Sequence, residues 1–221
     1  MKLAIFDLDN TLLGGDSDES WGDFMVELGL RDAETYGQKN QAFYQDYLNG
    51  TLDIFAFQRF MLEVVTEHPL EQMLEWRSQF LEQKIKPILL PKAFDLIKSH
   101  RQQGHELLII TATNRFITGP IAELLGIEDM LATEPEMLDG QYTGDLTGTP
   151  CFAEGKITRL KAWLEERGAS LEQENLETWF YSDSRNDTPL LEQVTHPFAV
   201  DPDPTLKQTA QARGWKILSL R

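Results

Sequence analysis

The chain has 221 residues, with 20 Lys plus Arg against 36 Asp plus Glu, a formal net charge of −16. At about 150 residues per domain this length makes one large domain, or a core with a smaller attachment; the charge excludes nucleic acid as a bulk partner, because that binding needs a basic face. Hydrophobic residues at 41% and charged residues at 25% exclude a disordered chain, and no apolar run approaches the roughly 18 residues of a membrane helix.

Leu3-Ala4-Ile5-Phe6 reads as a buried strand that stops at Asp7-Leu8-Asp9-Asn10-Thr11. Asp7 comes too early for Met1–Phe6 to form a signal-peptide core, so a cytoplasmic location is expected. After Gly14-Gly15 the texture changes, and from about Asp18 to Lys86 apolar residues recur at helical spacing. Trp21, Phe24, Met25 and Leu28 make one stripe, and Phe43, Tyr44, Tyr47 and Leu48 a second. Phe60, Met61, Val64 and Val65 make a third, and Leu70, Met73, Leu74, Phe80 and Leu81 a fourth. Turns at Gly29-Leu30, Gly50-Thr51 and His68-Pro69 divide them, which predicts four antiparallel helices with Trp21, Phe24, Phe43 and Phe60 in their core, the alternative being that one or two of these face the cleft.

From Pro91 onward helices alternate with short strands. Pro91 opens a helix ending near Gly104, His105–Ile110 is a strand terminating at Thr111, and Asn114–Leu125 is a helix stopped by Gly126. Asp129–Thr133 reads as a short strand, Gly140–Gly148 as a hairpin or loop, Glu154–Arg167 as a helix, and Thr178–Ser182 as a strand ending at Asp183. Thr188-Pro189 and Asp203-Pro204 each read as a polar N-cap with proline at the first helical position, while Pro197–Val200 and Trp215–Leu218 supply the last strands. The expected fold is α/β: a Rossmann-like, mostly parallel sheet flanked by helices, with an inserted all-helical cap. The expected division is a core of residues 1–14 and 88–221 and a cap of 15–87. An insert placed after the first strand sits over the edge where open α/β sheets bind ligands, so it should act as a lid.

Strand ends carry the chemistry in such sheets. They deliver Asp7, Asp9 and Thr11, then Thr111, then Asp183 with Asp187 beyond, and Lys156 lies near a helix start between them. So many carboxylates repel one another unless a cation joins them, and oxygen ligands without histidine or thiolate point to Mg²⁺. These are the parts for phosphoryl transfer through a covalent intermediate, with Asp7 as nucleophile and Asp9 as acid/base. Asp9 falls on the same side as Asp7 if the strand continues; a turn after the strand would change that. Asp-x-Asp-x-Thr arises by chance in roughly one chain in ten of this composition, so its context decides.

That ordered set of an N-terminal strand with Asp-x-Asp-x-Thr, then strand-Thr, helix-Lys and strand-Asp-x-x-x-Asp resembles the haloacid dehalogenase-like hydrolases. Within them it is similar to the phosphoserine-phosphatase branch, which carries a helical cap after the first strand. The resemblance implies an aspartyl-phosphate on Asp7, with Asp9 as acid/base whose backbone carbonyl also meets Mg²⁺. It further implies Thr111 and Lys156 on the phosphoryl group, and Asp183 with Asp187 in the metal shell. Dehalogenating members lack the second acid, so Asp9 implies phosphate ester hydrolysis. Ser182, and Ser184-Arg185-Asn186 in place of a glycine-rich loop, depart from the family pattern. The resemblance places Asp16, nine residues past the nucleophile, on a substrate amine; the alternative is that Asp16, Asp18 and Glu19 favour a helix N-terminus. Arg59 is the candidate for a substrate carboxylate, against a solvated helix face. Thr11, Ala112, Thr113 and Asn186 flank the motif residues as further substrate contacts.

The chain also resembles bacterial histidinol-phosphate phosphatases, which ranks histidinol phosphate ahead of phosphoserine as the small, amine-bearing substrate. A phosphomutase and a non-catalytic receiver-like switch are the competing readings; the long lid speaks against the switch. His68, His100, His105 and His196 lack ligand spacing and are expected in surface or core roles, and Cys151 as a small buried hydrophobe or an inert thiol.

Overall fold

The computed structural model describes residues 1–221. Strand β1 (Lys2–Phe6) leads into helices α1 (Ser17–Glu27), α2 (Ala33–Asn49), α3 (Ile54–Glu67) and α4 (Leu70–Phe80), the last continuing through a π-helical turn and a 3₁₀ turn to Ile88. Then follow α5 (Pro91–Gln102), β2 (Glu106–Asn114), α6 (Arg115–Leu125), β3 (Asp129–Leu138), β4 (Gln141–Thr147) and α7 (Glu154–Glu165). The chain closes with β5 (Glu177–Ser182), α8 (Thr188–Leu191), β6 (His196–Val200), α9 (Pro204–Arg213) and β7 (Lys216–Leu218). No helix is long and apolar enough to cross a membrane.

The strands form one sheet in the order β4-β3-β2-β1-β5-β6-β7, parallel throughout except for the β3–β4 pair. β1 is central, and its Phe6 is level with Ile109 of β2 and Tyr181 of β5. Asp7, Thr111 and Asp183 are therefore delivered within about a residue of one another along the sheet edge where the strand order diverges, the usual ligand position of such sheets.

Alternation along β1 divides the core. Leu3 and Ile5 face one apolar cluster with Ile157, Leu160 and Leu164 of α7 and Leu206 of α9. Ala4 and Phe6 face the other, with Ile97 of α5 and Ile117 and Ile121 of α6. That second cluster also takes in Trp21, Phe24 and Met25 of α1, Met61 and Val65 of α3, and Met73 of α4. Three of the inserted helices are thus anchored by apolar burial, at about 1.5–3 kcal/mol for a fully covered side chain such as Phe24. The crossing segments at the base of the insert are stitched by a Leu13–Leu89 bridge and by the Gly14 N–H on the Ile88 carbonyl at 2.7 Å. A Cβ at Gly14 would sit 3.2 Å from Leu90 and 3.4 Å from the Ile88 oxygen, so the close approach favours glycine.

Local chemistry accounts for the helix ends: Asp16, Asp32 and Asp53 cap α1, α2 and α3, and Gly50 and Gly126 end α2 and α6 in the left-handed conformation. Several expectations need correction. β2 runs on past Thr111 to Asn114 with a register shift, since Thr-Ala-Thr suits a strand and Asn114 is the cap of α6. β3 continues to Leu138, because Asp139 (φ 50°) and Gly140 (φ 79°) make a tight turn that pairs it with β4. Thr188 is the first helical residue rather than the cap, because a 3₁₀ turn over Arg185–Asp187 enters α8 directly. Asp203 does cap α9, accepting from the Thr205 and Leu206 N–H groups.

The largest correction concerns α2. Tyr36 is its sole buried residue, and the stripe that marks the helix leaves Tyr44 57% and Leu48 41% exposed. Phe43 borders a cleft and Phe60 is only partly buried, whereas Trp21 and Phe24 are core as expected.

Candidate active site

Asp7 follows β1, its N–H bound to the Tyr181 carbonyl at 2.9 Å. Its Oδ1 pairs with Lys156 Nζ at 2.8 Å, and the same ammonium reaches Asp187 Oδ2 at 2.7 Å. Ser182 also donates to Asp187 Oδ2 at 2.7 Å, so the serine that departs from the family pattern braces this carboxylate. Thr11 Oγ1 lies 3.3 Å from Asp7 Oδ2 and 3.1 Å from Asp183 Oδ1, and accepts from the Asp183 N–H. Its single proton serves one of the two acids, so Asp7 and Asp183 meet at one hydroxyl.

Two carboxylates thus meet one ammonium, and a third, Asp183, joins Asp7 through Thr11. Burial, reinforced by Asp187 and Asp9, pushes the Asp7 carboxyl up to about 7 although Lys156 pulls it down. Burial and the charges of Asp7 and Asp187 hold Asp183 well above the usual carboxylate range. Burial alone would lower Lys156, but Asp187 and Asp7 hold its pKa above the ordinary lysine value. The deficit of positive charge suits a divalent cation. No three His, Cys, Asp or Glu side chains close into a cage by themselves, so an ion here would complete its shell with backbone oxygen, water and substrate oxygens, the habit of Mg²⁺.

The strand does not continue to Asp9: Asn10 has φ 56° and the Leu12 N–H returns to the Leu8 carbonyl at 2.9 Å. Asp9 nevertheless lines the same cavity as Asp7. It accepts from the Ser17 N–H at 2.7 Å and from Thr113 Oγ1 at 2.9 Å. Burial and then Asp16 push it up to about 7. Thr113 Oγ1 is also 3.0 Å from Asp18 Oδ2. Thr111 is buried at the cavity wall, where its Oγ1 accepts from the Thr113 N–H and its own proton stays free to donate.

Ala112, Thr113 and Asn186 border the cavity of about 830 Å³. Thr11 does not. It is fully buried beneath Asp7 and Asp183, so its expected substrate contact is corrected to bracing those acids. Asp16 lines the cavity and also caps α1 through the Glu19 N–H at 2.9 Å, and burial raises its pKa. Arg59 is the clear miss. It points away from the cavity into a 2.6 Å pair with Asp145 of β4, with both side chains more than half exposed. Exposed pairs contribute little, so Arg59→Ala is expected to leave kcat/KM for every substrate at the wild-type value; a selective loss on a carboxylate-bearing ester would restore its substrate role.

Sequence reasoning missed three groups that border the cavity, Tyr47, Arg185 and Asp203, and the buried Gln58. Tyr47 of α2 meets Ser184 at 2.5 Å, and burial raises its phenol pKa. Arg185 donates to the Leu48 carbonyl at 2.9 Å, and its N–H binds Asp203, another cavity residue, at 2.6 Å. Together these contacts tie α2 to the loop after Asp183. Gln58, buried in α3, accepts from Asn114 at 3.2 Å. Ser184-Arg185-Asn186 stood out as a departure, which was the available signal. The histidines hold to the expected roles, His100 and His105 as a buried pair at 2.7 Å. Cys151 is buried, and burial pushes its thiol up to about 12, too high for reactivity.

The profile of the haloacid dehalogenase-like hydrolases matches residues 4–192. The chain belongs to that family, and it is a phosphatase of it. It is similar to a histidinol-phosphatase from Neisseria meningitidis serogroup C, 44% identical over 221 residues, covering 100% of this chain and 99% of that one. A solved protein of unknown function from Bordetella pertussis Tohama I superposes with a TM-score of 0.92 at 41% identity, covering 100% and 99% of the two chains. A phospho-aspartyl intermediate analogue of phosphoserine phosphatase shares the fold, with a TM-score of 0.70 at 19% identity over 100% and 93%.

Proposed function

We propose that the protein is a Mg²⁺-dependent phosphomonoesterase of small amine-bearing metabolites, working through an aspartyl-phosphate on Asp7. The observation that carries this reading is Asp7 itself, clamped by Lys156 on one oxygen and joined to Asp183 through Thr11 on the other, at the wall of an acid-lined cavity. Residues 15–87 act as the cap over a core of 1–14 and 88–221.

Asp7 attacks phosphorus while the bond to the ester oxygen breaks, and Asp9 gives its proton to the departing alkoxide. Asp9, now a carboxylate, takes a proton from the water that attacks the phosphoryl group; the bond to Asp7 breaks and inorganic phosphate leaves. A carboxyl with a pKa of about 7 can give and then take at neutral pH. Thr111 donates to a phosphoryl oxygen, and Lys156 neutralises charge on Asp7 and on the transferring group. Asp7, Asp183 and the Asp9 carbonyl would hold Mg²⁺, with Asp187 supporting them, and the bound ion would neutralise phosphoryl oxygens.

Histidinol phosphate ranks ahead of phosphoserine. Asp16, Asp18 and Glu19 border the cavity and attract a cationic end. No uncommitted arginine faces it for a carboxylate: Arg59 lies outside, and Arg185 is bound to the Leu48 carbonyl. The name of the Neisseria relative agrees. Phosphate release across a panel of phosphorylated metabolites tests the reading, with the highest kcat/KM expected for histidinol phosphate and loss of activity in chelator. No release from any small monoester would sink it.

Metal binding has a separate readout. Between about pH 4 and 7 the folded chain keeps protons on Asp7 and Asp9 that the unfolded chain has released, so metal-free stability falls as pH rises through that window. Mg²⁺ needs the ionised carboxylates. In chelator, the Tm contribution of the site is expected to be greater at about pH 5.5 than at about pH 8, and added Mg²⁺ to raise Tm more at the higher pH. Equal Mg²⁺ shifts at both would remove the site's carboxylates from the ion's shell.

A further inference from the structure

Phosphoryl chemistry leaves much of the cavity unexplained. At about 830 Å³ it is larger than a phosphoryl group and a short amine require. An amphipathic helix ordinarily buries its apolar stripe, yet α2 turns Phe43, Tyr44, Tyr47 and Leu48 toward this space. Phe57 stands edge-on to Phe43 at 5.5 Å, and Phe152, just ahead of the Lys156 helix, lies 6.2 Å from Tyr47. The aromatic row therefore runs from the cap to the element that carries Lys156.

Asp16 and Glu19, with the largely buried Asp18 beside them, make another wall of the cavity acidic. Aromatic faces attract the positive edge of another ring or a cation, while an acidic wall repels a carboxylate. A ligand that satisfies both has a flat apolar body and N–H groups at its rim.

We propose that the aromatic row of α2 is the platform for a planar nitrogen heteroaromatic ring of the substrate, with the acidic wall of the cavity favouring its N–H rim. This rests on the phosphomonoesterase reading above and assigns Phe43 and Tyr44 as specificity-determining residues. The ring anchors the far end of the ester while Lys156 and Thr111 hold the near end, which places phosphorus at Asp7.

The test compares histidinol phosphate with O-phosphoethanolamine, which keeps an amine and lacks both ring and carboxylate. The wild type is expected to favour the ring ester, and Tyr44→Ala to lose about ten-fold in kcat/KM on it and far less on the ringless ester. Tyr44 is more than half exposed, so its removal spares the fold; Phe43→Ala, checked by thermal unfolding, should repeat the pattern. An equal loss on both esters, or a wild type indifferent to the ring, overturns the platform while the phosphatase reading stands. A wild type that hydrolyses neither of these esters but releases phosphate from another overturns the platform alone, and one that releases phosphate from no small monoester fails the phosphatase reading and the platform with it.

Discussion

Asp7→Asn is expected to abolish phosphomonoester turnover while leaving the fold intact. The amide nitrogen and oxygen share their electrons, so the variant lacks a competent nucleophile, and loss of such a group costs roughly 10⁴-fold or more in kcat. The surroundings accept the change. The asparagine oxygen can take the place of Oδ1 on Lys156 Nζ, and its amide can donate to Thr11 Oγ1, leaving the threonine proton for Asp183. Lys156 keeps its second partner, Asp187, at 2.7 Å. One of three crowded carboxylates disappears, so repulsion on Asp183 falls. Phosphate release and thermal unfolding on the same preparation check both halves. A variant that turns over within ten-fold of the wild type rules out Asp7 as nucleophile.

The sequence disclosed these acids because strand ends are legible. A short apolar run that stops at a polar residue marks both the strand and the side chain it delivers, which points to Asp7 and Asp183, and to Thr111 although β2 continues past it to Asn114. Helical spacing likewise revealed the four inserted helices and their turns. Periodicity reports that a face is apolar, however, and not what covers it. Phe43 of α2 reads as cap core or as one of the aromatics facing the cleft, and it borders the cleft with the rest of its stripe. Contacts between distant stretches were equally hidden. Tyr47 and Ser184 are 137 residues apart, Arg59 and Asp145 are 86 apart, and nothing local to either residue announces its partner. Arg59 was read as a substrate cation for that reason: a lone arginine on a helix says nothing of an acid on a strand that pairs later. β3 also outran its expected end because Asp139-Gly140 supplied a turn whose two positive φ angles favour a hairpin.

Lys156→Met is expected to produce the largest loss of stability, together with loss of turnover. The side chain is 3% exposed, fixed between Asp7 and Asp187, with its ammonium 5.9 Å from the Phe180 ring centre. Methionine keeps the length and apolar stem but removes the cation that Asp7 and Asp187 share. Removing one partner of a buried ion pair costs about 3–5 kcal/mol, because the remaining charge is left uncompensated. The sign of the pH dependence follows from the acids. Asp7 is pushed up to about 7 even with the ammonium beside it, and without it holds its proton to higher pH, so the deficit relative to wild type should widen as pH rises from about 7 toward about 9. Chemical denaturation in chelator at both pH values measures it. Lys156→Arg separates charge from geometry, since it restores a cation in a slot shaped for an ammonium. It should recover part of the stability and little of the rate. If Lys156→Met unfolds at the wild-type midpoint at neutral pH, Asp7 and Asp187 do not depend on this ammonium, and the electrostatic account of the site is wrong.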